Sequence, residues 1–95
     1  MSKAALESMA RHAAAELAPR GIRVNILAPG SVETEAWAAL PGKDERLGGT
    51  QRRTPLGRLV SLDEVAQAAH FLVSPASGGV VGHRLVVDGA HAIVE

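Results

Sequence analysis

Apolar side chains recur at Leu6, Met9, Ala10, Ala13 and Leu17, the i, i+3, i+4, i+7 and i+11 spacing that lines one stripe of an α-helix. A helix is therefore expected over about residues 2–18. Lys3, Glu7 and Arg11 follow one another at intervals of four and are expected to form its solvated side. Pro19 cannot continue the helical hydrogen-bond ladder, and Gly21 accepts the left-handed geometry of a helix exit. Alternation at Ile22, Val24 and Ile26 then predicts a strand over residues 22–28, closed by Pro29-Gly30. Periodicity fails from Ser31 to Pro55, where Pro41-Gly42 and Gly48-Gly49 separate short fragments. A connection of that length in a compact domain suits a lid or binding loop, so residues 31–55 are expected to enclose a substrate. Ser61 and Glu64 have the spacing of a capping box, and Leu62, Val65, Ala66, Ala69, Leu72 and Val73 predict a second amphipathic helix ended by Ser74-Pro75. Gly78, Gly79 and Gly82 mark a turn, and residues 84–88 read as a second strand.

The order helix, strand, long loop, helix, strand places the two strands parallel, joined by a right-handed crossover, in an α/β layer fold. Parallel strands need helices on both faces, and a sheet needs more than two strands to stand alone. No internal repeat supplies the deficit, so the rest of the sheet is expected upstream.

Composition narrows the function classes. The chain has 95 residues, 46% of them apolar, with ten basic and ten acidic side chains. That balance gives no global field to recruit nucleic acid or anionic lipid, and one Trp, one Phe and no Tyr leave few rings to stack on bases. With neither a leader-like opening nor an apolar run long enough to span a bilayer, the expected location is cytoplasmic, without membrane contact. The absence of cysteine excludes disulfides and thiolate metal sites, and the four histidines never stand at i, i+4 on a helix, so no metal is expected. Ser31, His83 and Asp88 supply the residue types of a hydrolase triad without the Gly-x-Ser-x-Gly elbow that would expose a nucleophile. Trp37 reads equally as part of a substrate pocket and as an apolar clasp for the lid.

Four segments, in order, resemble the carboxyl-terminal part of the short-chain dehydrogenase/reductase family. They are SKAALESMARHAAAELAPRGIRVN, APGSVETE, PLGRLVSLDEVAQAAHFLVSP and GHRLVVDGA, and the resemblance they carry runs nearly end to end, with only residues 91–95 outside it. The resemblance implies the carboxyl-terminal portion of a Rossmann-like, doubly wound parallel sheet, with residues 1–95 as a single partial domain. It also implies NAD or NADP as cofactor and a small-molecule carbonyl or alcohol as substrate, in a 3-oxoacyl-[acyl-carrier-protein] reductase-like or small-alcohol dehydrogenase parent. Lys3 matches the lysine of the family's Tyr-x-x-x-Lys pair, which lowers the tyrosine pKa and holds the nicotinamide ribose. By the same matching, residues 29–34 belong to the nicotinamide: Pro29 and Gly30 form the loop, the main chain of Val32 bonds the carboxamide, and the Thr34 hydroxyl adds a contact. The tyrosine then falls two places before Met1, and the catalytic serine and glycine-rich phosphate turn also lie upstream. The chain alone is accordingly expected to be inactive. The family's helix corresponding to residues 2–18 helps form a subunit interface, which implies a homo-oligomer. The alternative reading is a noncatalytic self-association module, supported by the alanine-rich first helix.

Overall fold

The computed structural model describes residues 2–30, 32 and 54–93. Its contacts gather into two compact units, one of Met1–Ala28 with Ala68–Leu85 and one of Pro29–Gln67 with Val86–Glu95. Thr34, Trp37 and most of the expected 31–55 lid lie outside the described residues.

Helix α1 spans Lys3–Leu17. Ser2 caps it from an extended conformation, its hydroxyl accepting from Ala5 N at 3.1 Å. Pro19 does not end the chain's winding at once: Ala18–Arg20 tightens into a 3₁₀ turn before Gly21 exits at φ +80°. The covered face is rotated from the expected one, keeping Ala10, Ala13 and Leu17 and leaving out Leu6 and Met9. Ala10 and Ala14 are buried, whereas Leu6 is 47% and Met9 58% exposed. Glu7, expected in solvent, meets Arg84 at 3.2 Å. Glu7, Ala10 and Ala14 share one helical face by spacing, and with half-buried Ala13 and Leu17 they make the covered side, rich in small residues. Small residues allow close approach: a Cβ placed on Gly82 would lie 3.5 Å from Ala14 Cβ.

Strand β1 is Ile26–Pro29 and strand β2 is Arg84–Val87, paired in one two-stranded sheet among the described residues. The pairing is parallel, as expected: Ile26 N donates to His83 O at 2.8 Å and Gly30 N to Val87 O at 3.0 Å. The first strand begins four residues later than alternation predicts, for an identifiable reason. Gly82 N donates to Val24 O at 2.8 Å, so Gly82 and His83 together stand opposite Asn25, one residue against two. Gly82 takes φ +73° at this bulge. The Asn25 side chain substitutes for the interrupted ladder, accepting from His83 N and donating to Val80 O, both at 2.9 Å.

Helix α2 spans Leu62–Val73. Its capping box forms as the sequence predicts: Glu64 N donates to Ser61 Oγ at 3.0 Å, and Ser61 N donates to Glu64 Oε1 at 2.9 Å. At the other end Arg23 donates to the carbonyls of Leu72, Ser74 and Ser77 and to Ser77 Oγ, at 2.7–3.1 Å. A cation thus meets the carbonyl-rich end of a helix, and Ser77 is 1% exposed beneath it. Leu62, Phe71 and Val73, apolar members of this helix, remain exposed.

Candidate functional site

The carboxyl end of β1 lies in the second unit. Pro29 has no N–H, and the pairing passes it to Gly30, whose N donates to Val87 O at 3.0 Å. Gly30 follows because no other residue fits: an added Cβ would come 2.7 Å from Asp88 Cβ and 3.0 Å from Asp88 Cα. Val32 resumes parallel pairing with Val60, a buried residue on the approach to α2. Pro29, Gly30 and Val32 therefore run together as one segment held at both ends, with main-chain groups at a strand terminus where α/β sheets collect ligands.

The segment beyond β2 builds the neighbouring wall. Gly89 and Ala90 both take positive φ, +66° and +75°. The Asp88 carboxylate closes this bend, Oδ1 accepting from Ala90 N at 2.9 Å and Oδ2 from Ala92 N at 2.8 Å. Thr54, 5% exposed, lies with its hydroxyl 3.2 Å from His91 Nδ1, and Leu56 N donates to Gly89 O at 3.1 Å. Sequence reasoning set Asp88 aside as a stray triad member and did not foresee its turn. The signal was present in Asp88-Gly89, the pattern of an aspartate that bonds its own backbone two residues on.

Arg58 ties the approach to α2, donating to Glu64 Oε1 at 2.7 Å and Oε2 at 3.0 Å. Hydrogen bonding to the guanidinium, then to Ser61 N, lowers the Glu64 pKa to about 2. The same pairing raises that of Arg58.

Lys3 belongs to the first unit, exposed in the opening turn of α1, where its ammonium makes no hydrogen bond or ion pair with described residues. The first unit also carries an open hollow of about 370 Å³ lined in part by Leu27, Ala69, Leu72 and Val73. Arg23 and Asn25 reach it, but their polar groups are engaged by main-chain partners.

A family profile described as enoyl-(acyl carrier protein) reductase matches residues 1–90. The chain belongs to the short-chain dehydrogenase/reductase family. Galactitol 2-dehydrogenase (L-tagatose-forming) from Cereibacter sphaeroides is 44% identical over 92 residues, covering 97% of this chain and 36% of that protein. An enoyl-[acyl-carrier-protein] reductase [NADH] from Rhizobium meliloti (strain 1021) is 38% identical over 93 residues, 98% of this chain and 35% of that one. The crystal structure of a gluconate 5-dehydrogenase from Burkholderia cenocepacia J2315, in complex with NADP and tartrate, superposes with a TM-score of 0.85. It is 39% identical, with 98% of this chain and 36% of that chain covered. The chain thus spans about a third of the length of the dehydrogenase/reductase relatives it matches and corresponds to their carboxyl-terminal part. Its two parallel strands with helices are that part of the family's Rossmann-like sheet. Among the described residues, no helix is long and apolar enough to cross a membrane.

Proposed function

We propose that residues 1–95 supply the nicotinamide side of an NAD(P)-dependent oxidoreductase that interconverts a small-molecule alcohol and carbonyl. The carrying observation is the Pro29–Val32 segment, where a glycine pressed against Asp88 fixes a main chain at the end of a parallel strand. In this reading Pro29, Gly30 and the main chain of Val32 seat the carboxamide, and Thr34 adds a hydroxyl contact. Lys3 holds the nicotinamide ribose and lowers the pKa of the proton-transferring tyrosine. The bound cofactor supplies or accepts the hydride. The chain contains no tyrosine, so that group comes from polypeptide outside residues 1–95, and the isolated chain is expected to show negligible turnover. Residues 1–95 form one partial domain in this reading, with residues 31–55 as the substrate lid. Names among the relatives include both NADH and NADP, and either coenzyme is compatible with the residues present here.

The second reading, self-association without catalysis, has its own support in the exposed Leu6 and Met9 one turn apart on α1. Titration of NADH and NADPH into a full-length protein carrying residues 1–95 as its carboxyl-terminal part separates the two. Saturable binding that weakens about ten-fold in Lys3→Ala supports the oxidoreductase, on the scale of one charge-assisted contact. A folded protein that binds neither coenzyme leaves the association module.

A further inference from the structure

The bend after β2 contains a side chain for which the proposed chemistry has no role. Asp88 spends both carboxylate oxygens on main-chain amides, those of Ala90 and Ala92, and its carbonyl accepts from His91 N at 3.3 Å. Those bonds hold Ala90 in a left-handed conformation that a residue with a Cβ ordinarily avoids. The bend is filled on its other side too, since a Cβ on Gly89 would lie 2.8 Å from Leu56 Cβ and 2.9 Å from Thr54 Cγ2. Against this fixed bend lies Gly30, with its side-chain position already taken by Asp88 Cβ and Cα and its N–H bonded to Val87 O.

We propose that Asp88 is a positioning residue for the nicotinamide segment: its carboxylate fixes the bend, and the bend's Cα and Cβ form the floor that places Gly30 and, beyond it, the main chain of Val32. The inference rests on reading Pro29–Val32 as the nicotinamide contact. It adds that cofactor orientation depends on a side chain that never touches the cofactor. Removing the carboxylate frees Ala90 and Ala92 N–H and lets the left-handed bend relax, so the floor under Gly30 moves while the adenine end of the cofactor, held elsewhere, is unaffected.

The test compares ligands with and without nicotinamide, in a full-length protein carrying residues 1–95 as its carboxyl-terminal part. Asp88→Ala is expected to weaken NADH or NADPH binding about ten-fold and to leave ADP-ribose, or its 2′-phosphate, within about two-fold of wild type, the loss of roughly one anchoring hydrogen bond. Asp88→Asn keeps the shape and one acceptor and is expected to fall between; it decides the matter by the same comparison if the alanine variant does not fold. Unchanged NAD(P)H affinity, or an equal loss for both ligand types, overturns the proposal, the latter marking Asp88 as a general support of the fold. A wild-type protein that binds ADP-ribose as tightly as NADH or NADPH removes the nicotinamide reading itself, and the positioning role with it. A wild-type preference for the intact coenzyme that Asp88→Ala leaves intact removes the positioning role alone.

Discussion

Arg23 meets four acceptors at and just beyond the end of α2, none of them a carboxylate, and its guanidinium fork spans the carbonyls of Leu72, Ser74 and Ser77. Each carbonyl has a second donor, Ser77 Oγ for Leu72, Ser77 N for Ser74 and Val80 N for Ser77, so truncation removes the charged donor that ties them together. In urea unfolding of a full-length protein carrying residues 1–95, Arg23→Ala is expected to destabilise by about 2–3 kcal/mol, and Arg23→Lys by about half as much, since an ammonium cannot span the same acceptors. Two glycines make a second contrast at this scale. Gly21 has φ +80° and open space around it, so Gly21→Ala costs only backbone strain, about 1 kcal/mol. Gly30 lies against backbone that has no room to yield, and Gly30→Ala is expected to cost about 2–3 kcal/mol. Equal costs at the two positions, read by the same unfolding, would show that Asp88 can move aside.

Among the elements, the start of α2 carries a defined pH dependence. Glu64 has a folded pKa of about 2 against an ordinary 4.5, because Arg58 and Ser61 N stabilise its charged form. The unfolded chain therefore takes up the proton first. The pair's contribution to stability is complete above about pH 5 and is lost as pH falls from there toward 2. Glu64→Gln lacks this step, so its stability should fall less steeply than wild type over that window and the gap between them should close. Parallel curves would mean that the Arg58 contact is not kept in solution. This amino end was legible in the sequence because a capping box is local, its donors and acceptors lying three residues apart. The buried stripe of α1 was legible only in part, at Ala10, Ala13 and Leu17. Apolar spacing favours Leu6 and Met9, whereas the partner is the bulge at Gly82, which admits Ala14, and Arg84, which selects Glu7. Both are more than sixty residues away in sequence, and periodicity carries no information about them. The start of β1 was misplaced for a related reason: Asn25 replaces ladder bonds with its amide, a role visible only once Val80 and His83 are beside it. At the site, Pro29-Gly30 was legible as a strand end, while the need for glycine became clear only when Asp88 was found against it.

For the molecule as a whole, α1 leaves Leu6 and Met9 exposed, and β1 and β2 are the only paired strands among the described residues. Uncovered apolar side chains and an open sheet edge favour association. The isolated chain is expected to self-associate at micromolar concentration in sedimentation velocity, and Leu6→Glu with Met9→Glu to shift the midpoint to concentrations about ten-fold higher. A wild-type chain that sediments as a monomer with cooperative unfolding would count against an incomplete sheet. The central claim is that residues 1–95 hold the nicotinamide end of the cofactor. The most direct measurement is a crystal structure, with NADH or NADPH bound, of a full-length protein carrying this segment. The account predicts the carboxamide within about 3 Å of the Val32 main chain and the Lys3 ammonium at the same distance from the nicotinamide ribose hydroxyls. A coenzyme bound with its nicotinamide away from residues 29–34, or with Lys3 remote from the ribose, would contradict it.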